Sequence, residues 1–561
     1  MTIGRRESFI LAAGAATASM LNHRAETGPV PPSKSAVTNS SNRALSTALA
    51  ASDGANSIGF AQAGTGVTAR TLQDKVRETI SVQDFGAVGD GVVDDTLALQ
   101  KAFASGVGAI FLPRGTYIIG SINGENIHLY GPGTLRKKPG TKGVLLNLTG
   151  YNRIEGITLD YDWKNAAQSL PYFNNITLQQ IGGTLTLCGV AFRRSFASAV
   201  FISGASLSTD MNCSFIEGAP HNGLSGGKER VTYYITCIAT ENTRNQIISI
   251  NGGYFHGTSI DPENLHLNPT GIFITASGVD GVRFKTINIS NPILIGCSTN
   301  AGGNVTGAID IYNGAENIII SGATIRYFTY AGIKVQNSSR FSISGNMITD
   351  GAVPSRAVTP HAVGITTTEK NRSSKAEQHF GQISGNIVEG CHYAGILNNC
   401  DWVAISANIL SRVTPAKICA GIMNDGSNVT IIGNAGTSIA GTFITSAGDH
   451  VRMTANNFDS GVDGRANGIF FRGHDVAISD NSFVSGEASE GSGIRTNGPA
   501  SHIQIGGNYA ENFPYGVDLR TTGGAVRDVV ISPNHFAGIA IEEYNIAKSV
   551  TNAARVLTQP W

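Results

Sequence analysis

Charge is scarce in this chain, and long helical or apolar patterns are missing. Only 14% of the 561 residues are Asp, Glu, Lys or Arg, and forty basic residues balance forty acidic ones. Without an excess of positive charge there is no electrostatic footprint for nucleic acid or an anionic membrane surface. Neither is expected as a partner. No apolar run of ~18 or more residues lies beyond the N-terminus, so no membrane span is expected. The seven cysteines show no paired CxxC spacing, which argues against a zinc site. What the chain has in quantity is glycine, 69 residues, suited to many tight turns.

Those turns are periodic. Asn346, Asn386, Asn408, Asn434, Asn456, Asn481, Asn508 and Asn534 follow one another at gaps of 40, 22, 26, 22, 25, 27 and 26 residues. Most close a short pattern such as Ile343-Ser344-Gly345-Asn346 or Ile383-Ser384-Gly385-Asn386. A second pattern interleaves: Gly332-Ile333-Lys334-Val335, Gly395-Ile396-Leu397, Gly493-Ile494-Arg495. Two short strands per repeat, with a turn residue at a fixed place, predict a solenoid. The strands are about four residues, β-branched and alternating, and no interval holds a helix of ~10–12 residues. Each coil must return to its start through strands alone, so the fold class is all-β, a single-stranded parallel β-helix. Like residues then stack ~4.8 Å apart, and the Ile and Val files form the core. The asparagines are expected to be structural, each taking the left-handed conformation and bonding to its copy in the next coil. Cys188, Cys213 and Cys237 are 25 and 24 residues apart, one coil each, and are expected to form an interior ladder of free thiols.

The N-terminus carries Arg5-Arg6 and then Phe9-Ile10-Leu11 before an Ala/Gly-rich stretch. This resembles a twin-arginine export signal over residues 1–26, which implies a periplasmic or secreted protein. Residues 27–80 are expected to be a flexible linker and lead-in, Ser/Ala/Asn/Pro-rich to about residue 55.

Residues 81–124 are expected to form an N-terminal cap. Ser81–Phe85 reads as a strand and Gly86–Gly91 as a tight turn. Asp94 and Asp95 then cap a short helix, Thr96–Phe103, followed by a strand at Ala109–Leu112. A lone helix at the start of a solenoid covers the open end of its core. The run DFGAVGDGVVDDTLALQKAF followed by FLPRGTY closely resembles the opening of the pectate-lyase-like superfamily, which includes rhamnogalacturonases, polygalacturonases, epimerase-like proteins and phage tailspikes. The resemblance implies a right-handed β-helix over residues 125–545, a C-terminal tail at 546–561, and usually action on a polysaccharide. It carries no catalytic motif, and the acidic cap residues, Asp90, Asp94 and Asp95, are structural in that family. The polygalacturonase motifs and the epimerase Asp-Pro-His-Glu are absent. Tailspike relatives imply a homotrimer, whereas an export signal in place of a virion-attachment domain leaves a monomer open.

A β-helix displays its outward residues as flat files, a natural groove for an extended sugar chain. Aligning the position between two core residues gives a file through Phe201, Ser225, Ser249, Phe273, Asp310, Lys334, Leu397, Met423, Phe470, Arg495 and Asp518. Its reactive members in the central coils are Asp310 and Lys334, 24 residues apart and expected ~5 Å from each other. Tyr312, Arg326, Tyr327 and Tyr330 flank them. Elimination beside a uronate needs a base and a group that neutralises the carboxylate. Lys334 or Tyr330 could be the base and Arg326 the carboxylate anchor. Hydrolysis needs two carboxylates, ~5 Å apart for retention or ~6.5–9.5 Å for inversion. Asp310 and Glu241 are the candidate pair. His221, Arg244, His256 and Asp160 are further candidate substrate contacts, and the insertion from Gly253 to Thr270 could wall one end of the groove. The leading reading is a lyase acting on an acidic polysaccharide. A glycoside hydrolase and a non-catalytic glycan-binding adhesin are the alternatives. No cofactor is expected; calcium is the one ion a lyase could use to bridge carboxylates.

Overall fold

The computed structural model describes residues 35–555 apart from 168–173, 211, 221, 226–227, 231, 242–244, 277–281, 302–303, 314, 356, 358–360, 369–379, 415–418, 461–466 and 487–489. Residues 1–26, read as an export signal, and the candidates His221 and Arg244 lie outside the described residues.

The chain divides into two units, residues 1–78 and 79–561. The stretch read as a linker carries local structure within the first unit. A helix spans Ser35–Ala50, and Gly59–Phe60 pairs antiparallel with Arg70–Thr71. A one-turn helix, Leu72–Val76, starts at a capping box. The Asp74 N–H donates to the Thr71 hydroxyl oxygen while the Asp74 carboxylate receives the Thr71 N–H.

The second unit is a right-handed parallel β-helix. Its cap differs in detail from expectation. Only Ile80–Ser81 is strand, and Val82–Phe85 is a 3-10 helix with a capping box of Ser81 and Asp84. Ser81 with Asp84 three residues on satisfies the free N–H groups locally, and this outweighs strand pairing. The capping helix runs Thr96–Ala104 and buries Leu99, Ala102 and Phe103. Asp94 supplies its N-terminal bond, accepting from the Thr96 N–H at 3.0 Å. Asp95 instead turns back and accepts from the N–H groups of Val88 and Gly89.

Each coil contains three strands where the repeat pattern suggested two. One coil runs Asn304–Tyr312 on a first sheet, Ala315–Ser321 on a second, and Thr324–Arg326 on a third. The next begins at Ala331–Gln336 on the first sheet again. The third strand is three residues with one inward side chain, here Ile325, too short to show an alternating pattern in sequence. Ile309, Ile311, Ile318, Ile320 and Ile325 fill the interior at 2% exposure or less. Each such side chain contributes ~1.5–3 kcal/mol by burial. On the third sheet Phe192, Phe215 and Phe255 stack through successive coils at centroid separations of 4.9 and 4.5 Å.

The asparagines stand at the turn from the second sheet to the third. Asn386 Nδ2 donates to Asn408 Oδ1 at 2.9 Å and to the Ile343 carbonyl at 2.9 Å, and the same geometry recurs from Asn346 to Asn534. The left-handed residue, however, is the one before the asparagine: Gly345, Gly385, Ala407, Gly433, Ala455, Asp480 and Gly507 have φ between 53° and 70°. Turning the chain one residue earlier aims the asparagine inward, where its amide replaces the backbone partners lost at the corner. The seven cysteines are free, but the expected thiol ladder does not form. Cys188 lies on the second sheet, Cys237 on the first, and Cys213 in the turn before a third-sheet strand. Insertions between the sheets make one coil's length a poor guide to which face a residue occupies.

Candidate functional site

The outward file of the first sheet is continuous through register pairs. Thr236 pairs with Phe273, Phe273 with Asp310, Asp310 with Lys334, and Lys334 with Thr366. Ser225 and Ser249 are not on it. Ser225 belongs to a hairpin inserted before the strand, and Ser249 to the second sheet. Thr445, between Met423 and Phe470, is missing from the file counted by ~24 residues. Thr236 and Thr366 are two more of the missing members. The turns ahead of their strands are long, 217–232 and 350–362. Their signal is the β-branched alternation around each, Ile235-Thr236-Cys237 and Ile365-Thr366-Thr367.

Asp310 and Lys334 meet as expected. Lys334 Nζ donates to Asp310 Oδ2 across 3.3 Å, and the Gly307 N–H donates to the same oxygen at 3.2 Å. Asp310 is 1% exposed, and its Oδ1 has no hydrogen-bond partner among the described residues. Burial raises its carboxyl above the ordinary value, and the Lys334 charge and the Gly307 N–H offset this only in part. Lys334 lies over it, half-buried, with its ammonium 5.6 Å from the Tyr330 ring centre. Asp310 thus lies beneath Lys334, with its carboxylate against the ammonium. Tyr312 follows Asp310 by two residues and faces the same side of the strand.

Arg326 and Tyr327 belong to a different cluster. Arg326 ends a third-sheet strand, bonds to Asp350 at 3.1 Å, and stacks on Tyr327 at 5.0 Å. Asp350 also faces Arg412, which binds Glu389 at 2.7 Å. Buried Phe328 and Thr329 separate Tyr327 from Tyr330. Arg326 therefore cannot serve as the carboxylate anchor beside Lys334.

Glu241 is exposed, in the turn after Tyr233–Ala239. That strand stacks two coils before Asp310, ~10 Å along the axis, and Glu241 lies five residues past the file. It falls outside the ~5–9.5 Å window that paired carboxylates need. Asp160 is buried at 3% exposure, held by Arg136 at 3.0 Å and by the Arg194 guanidinium. This is a structural ion network at the edge of the third sheet rather than a free sugar contact. His256 ends the third-sheet strand Tyr254–His256, and its Nδ1 lies 2.7 Å from the Gly257 carbonyl. The long turn behind it is bonded within itself. Asn268, fully buried, ties Thr258 and Ser259 together. Glu263 accepts from Ser355 at 2.7 Å, which joins this turn to the other long turn, 350–362. Both turns lead into first-sheet strands that flank the Asp310–Lys334 coils. Among the described residues no three His, Cys, Asp or Glu side chains converge on a metal position. No helix among them is long and apolar enough to cross a membrane.

Residues 79–179 match the family described as rhamnogalacturonase A/epimerase, pectate lyase-like. The matched stretch takes in the cap and the first coils. The resemblance read from the cap motif is shown by this match. The tail spike protein of Shigella phage Sf6 is 39% identical over 95 residues, 14% of this chain and 15% of that protein. Plasmin and fibronectin-binding protein A of Streptococcus pneumoniae is 23% identical over 302 residues, 46% of this chain and 40% of that protein. The chain therefore spans less than half the length of these curated relatives. A solved tailspike of E. coli bacteriophage HK620, in complex with a pentasaccharide, is similar with 14% identity and a TM-score of 0.47, covering 83% of this chain and 84% of that one.

Proposed function

We propose that this protein acts on a polysaccharide laid along the first sheet, and that it cleaves a uronate-containing chain by β-elimination at Lys334 and Tyr330. The observation that carries the reading is the Lys334 ammonium, anchored by a buried carboxylate on an outward file. A cation fixed from below is preorganised to neutralise a uronate carboxylate, which is what makes removal of the adjacent C5 proton feasible. Lys334 donates to Asp310 and so enters as the cation. Tyr330, beside it, is the base. Tyr330 first gives its phenol proton to solvent; the tyrosinate oxygen then takes the C5 proton, the C5–H electrons form the C4=C5 double bond, and the C4–O bond breaks. The leaving oxygen takes its proton from water. The family description, which names a rhamnogalacturonase and a pectate lyase, supports a pectic or similarly acidic substrate. The twin-arginine-like leader supports export of the protein to meet it.

The hydrolase reading loses its candidate second carboxylate, because the strand before Glu241 stacks two coils from Asp310. A non-catalytic glycan-binding role has one observation in its favour: Phe201, Phe273 and Phe470 stand half-exposed on the same file, a surface on which sugar rings can stack. The experiment is incubation with acidic polysaccharides, following ultraviolet absorbance and reducing ends together. Absorbance rising with reducing ends supports elimination. Reducing ends without absorbance would replace it with hydrolysis, and binding without either would replace it with adhesion.

A further inference from the structure

The corner that leads into the second sheet holds one residue out of character. Successive coils place Trp402, Asn428, His450, Asp475, His502, Asp528 and Asn552 at the same register position, all with φ between 53° and 58°. Asn, Asp and His tolerate this left-handed conformation, because a short polar side chain can bond locally. A tryptophan does not gain in that way, and its presence there is an outlier that calls for a reason. Core packing is not the reason, since Trp402 is 45% exposed.

Its register neighbour in the preceding coil is Phe380, 50% exposed, because Gly381 pairs with Val403. The two rings stand 6.3 Å apart and 42° to each other, forming a shallow trough. They open onto a recess of about 440 Å³ whose lining includes Ser342, Gln382, Asn428 and Thr430. Among the described residues no side chain that lines the recess is ionisable. Ser342, Gln382 and Thr430 fall on one outward file of the second sheet, through Ser342–Gln382, Gln382–Ala404 and Ala404–Thr430. Tilted aromatic rings beside hydroxyl and amide groups match a pyranose ring, which has an apolar face and a polar rim.

We propose that Phe380 and Trp402 form a second glycan-binding site, for uncharged hexopyranose units, on a different face from the Lys334 file. The site rests on its own residues and stands whether or not Lys334 catalyses elimination. The side chains that line it are uncharged, whereas the first sheet presents the Lys334 ammonium. A polysaccharide with alternating neutral and acidic sugars could engage both faces.

The test is titration of the full protein with maltohexaose, cellohexaose and fully N-acetylated chitohexaose, read by tryptophan fluorescence and calorimetry. Trp402→Asn is the informative variant, because asparagine already occupies this corner in other coils and should fold at least as well. Saturable binding of one of these oligomers by the native protein and by Lys334→Ala, weakened about ten-fold or more in Trp402→Asn and in Phe380→Ala, supports the site. Binding that Trp402→Asn leaves unchanged would overturn it. So would no binding of any of the three by a protein whose melting transition shows it folded.

Discussion

Lys334 Nζ lies 3.3 Å from Oδ2 of Asp310, one coil away, with the carboxylate at 1% exposure and the lysine above it toward solvent. The pair is asymmetric. One member is hidden and costly to ionise; the other is presented.

Lys334→Ala and Tyr330→Phe are expected to abolish elimination while the protein stays folded. Removing a preorganised charge partner or a general base costs ~10²–10⁴-fold in rate. Tyr330→Phe should lower kcat with little change in KM, whereas Lys334→Ala should also raise KM, because its cation meets the carboxylate in the ground state. Steady-state absorbance assays separate the two.

The buried carboxylate makes a pH signature. Burial raises the folded-state pKa of Asp310 above the ordinary 3.8 of the unfolded chain. The folded state then holds a proton that the unfolded state has released, so stability falls as pH rises from that value through the folded one. Asp310→Asn cannot titrate. The melting temperature of Asp310→Asn minus that of the native protein should grow with pH from about 4 upward and then level off. A difference that stays flat across acid pH would mean that folding does not raise the Asp310 pKa.

Asn408 accepts from Asn386 and donates to Asn434 and to the Ile383 carbonyl, all buried. Asn408→Ala leaves these groups unpaired and should cost about 2–4 kcal/mol. Asn534, at the end of the ladder, donates from Nδ2 to the Ser532 carbonyl of its own coil at 2.8 Å. Asn534→Ala should cost less, about 1–2 kcal/mol. Denaturant unfolding of the two variants gives the comparison.

Ala407 holds φ 53° at a corner where Gly345, Gly385 and Gly433 serve in other coils. Ala407→Gly relieves the left-handed strain and loses some unfolded-state entropy advantage, for a net gain of about 0.5–1 kcal/mol. A melting temperature lowered by this change would contradict the account of the corner.

The Asp310–Lys334 contact was legible because a single short turn, Tyr327–Tyr330, joins their coils and keeps the period near 24 residues. Thr366 was not, because the turn 350–362 breaks the period. Glu263 and Ser355 are 92 residues apart, and nothing local marks them as partners. Arg326 sits only eight residues before Lys334, yet the turn between them carries it to another sheet and into a cluster with Asp350 and Arg412. Trp402 left a sequence signal, a bulky ring in a place where other coils use Asn, Asp or His, but that place shows only once the coils are in register.

The sequence by itself determined the solenoid, its asparagine ladder, its capped N-terminal end and one central ion pair. Each follows from a period or a local pattern, and stacking converts equal spacing into contact. The tertiary structure alone decided the three-strand coil, the scattered thiols, the burial of Asp310 beneath Lys334 and the removal of Glu241, Arg326 and Asp160 from the groove. These depend on where turns of unequal length return the chain, and burial is a property of what packs on top of a residue, which no single repeat encodes.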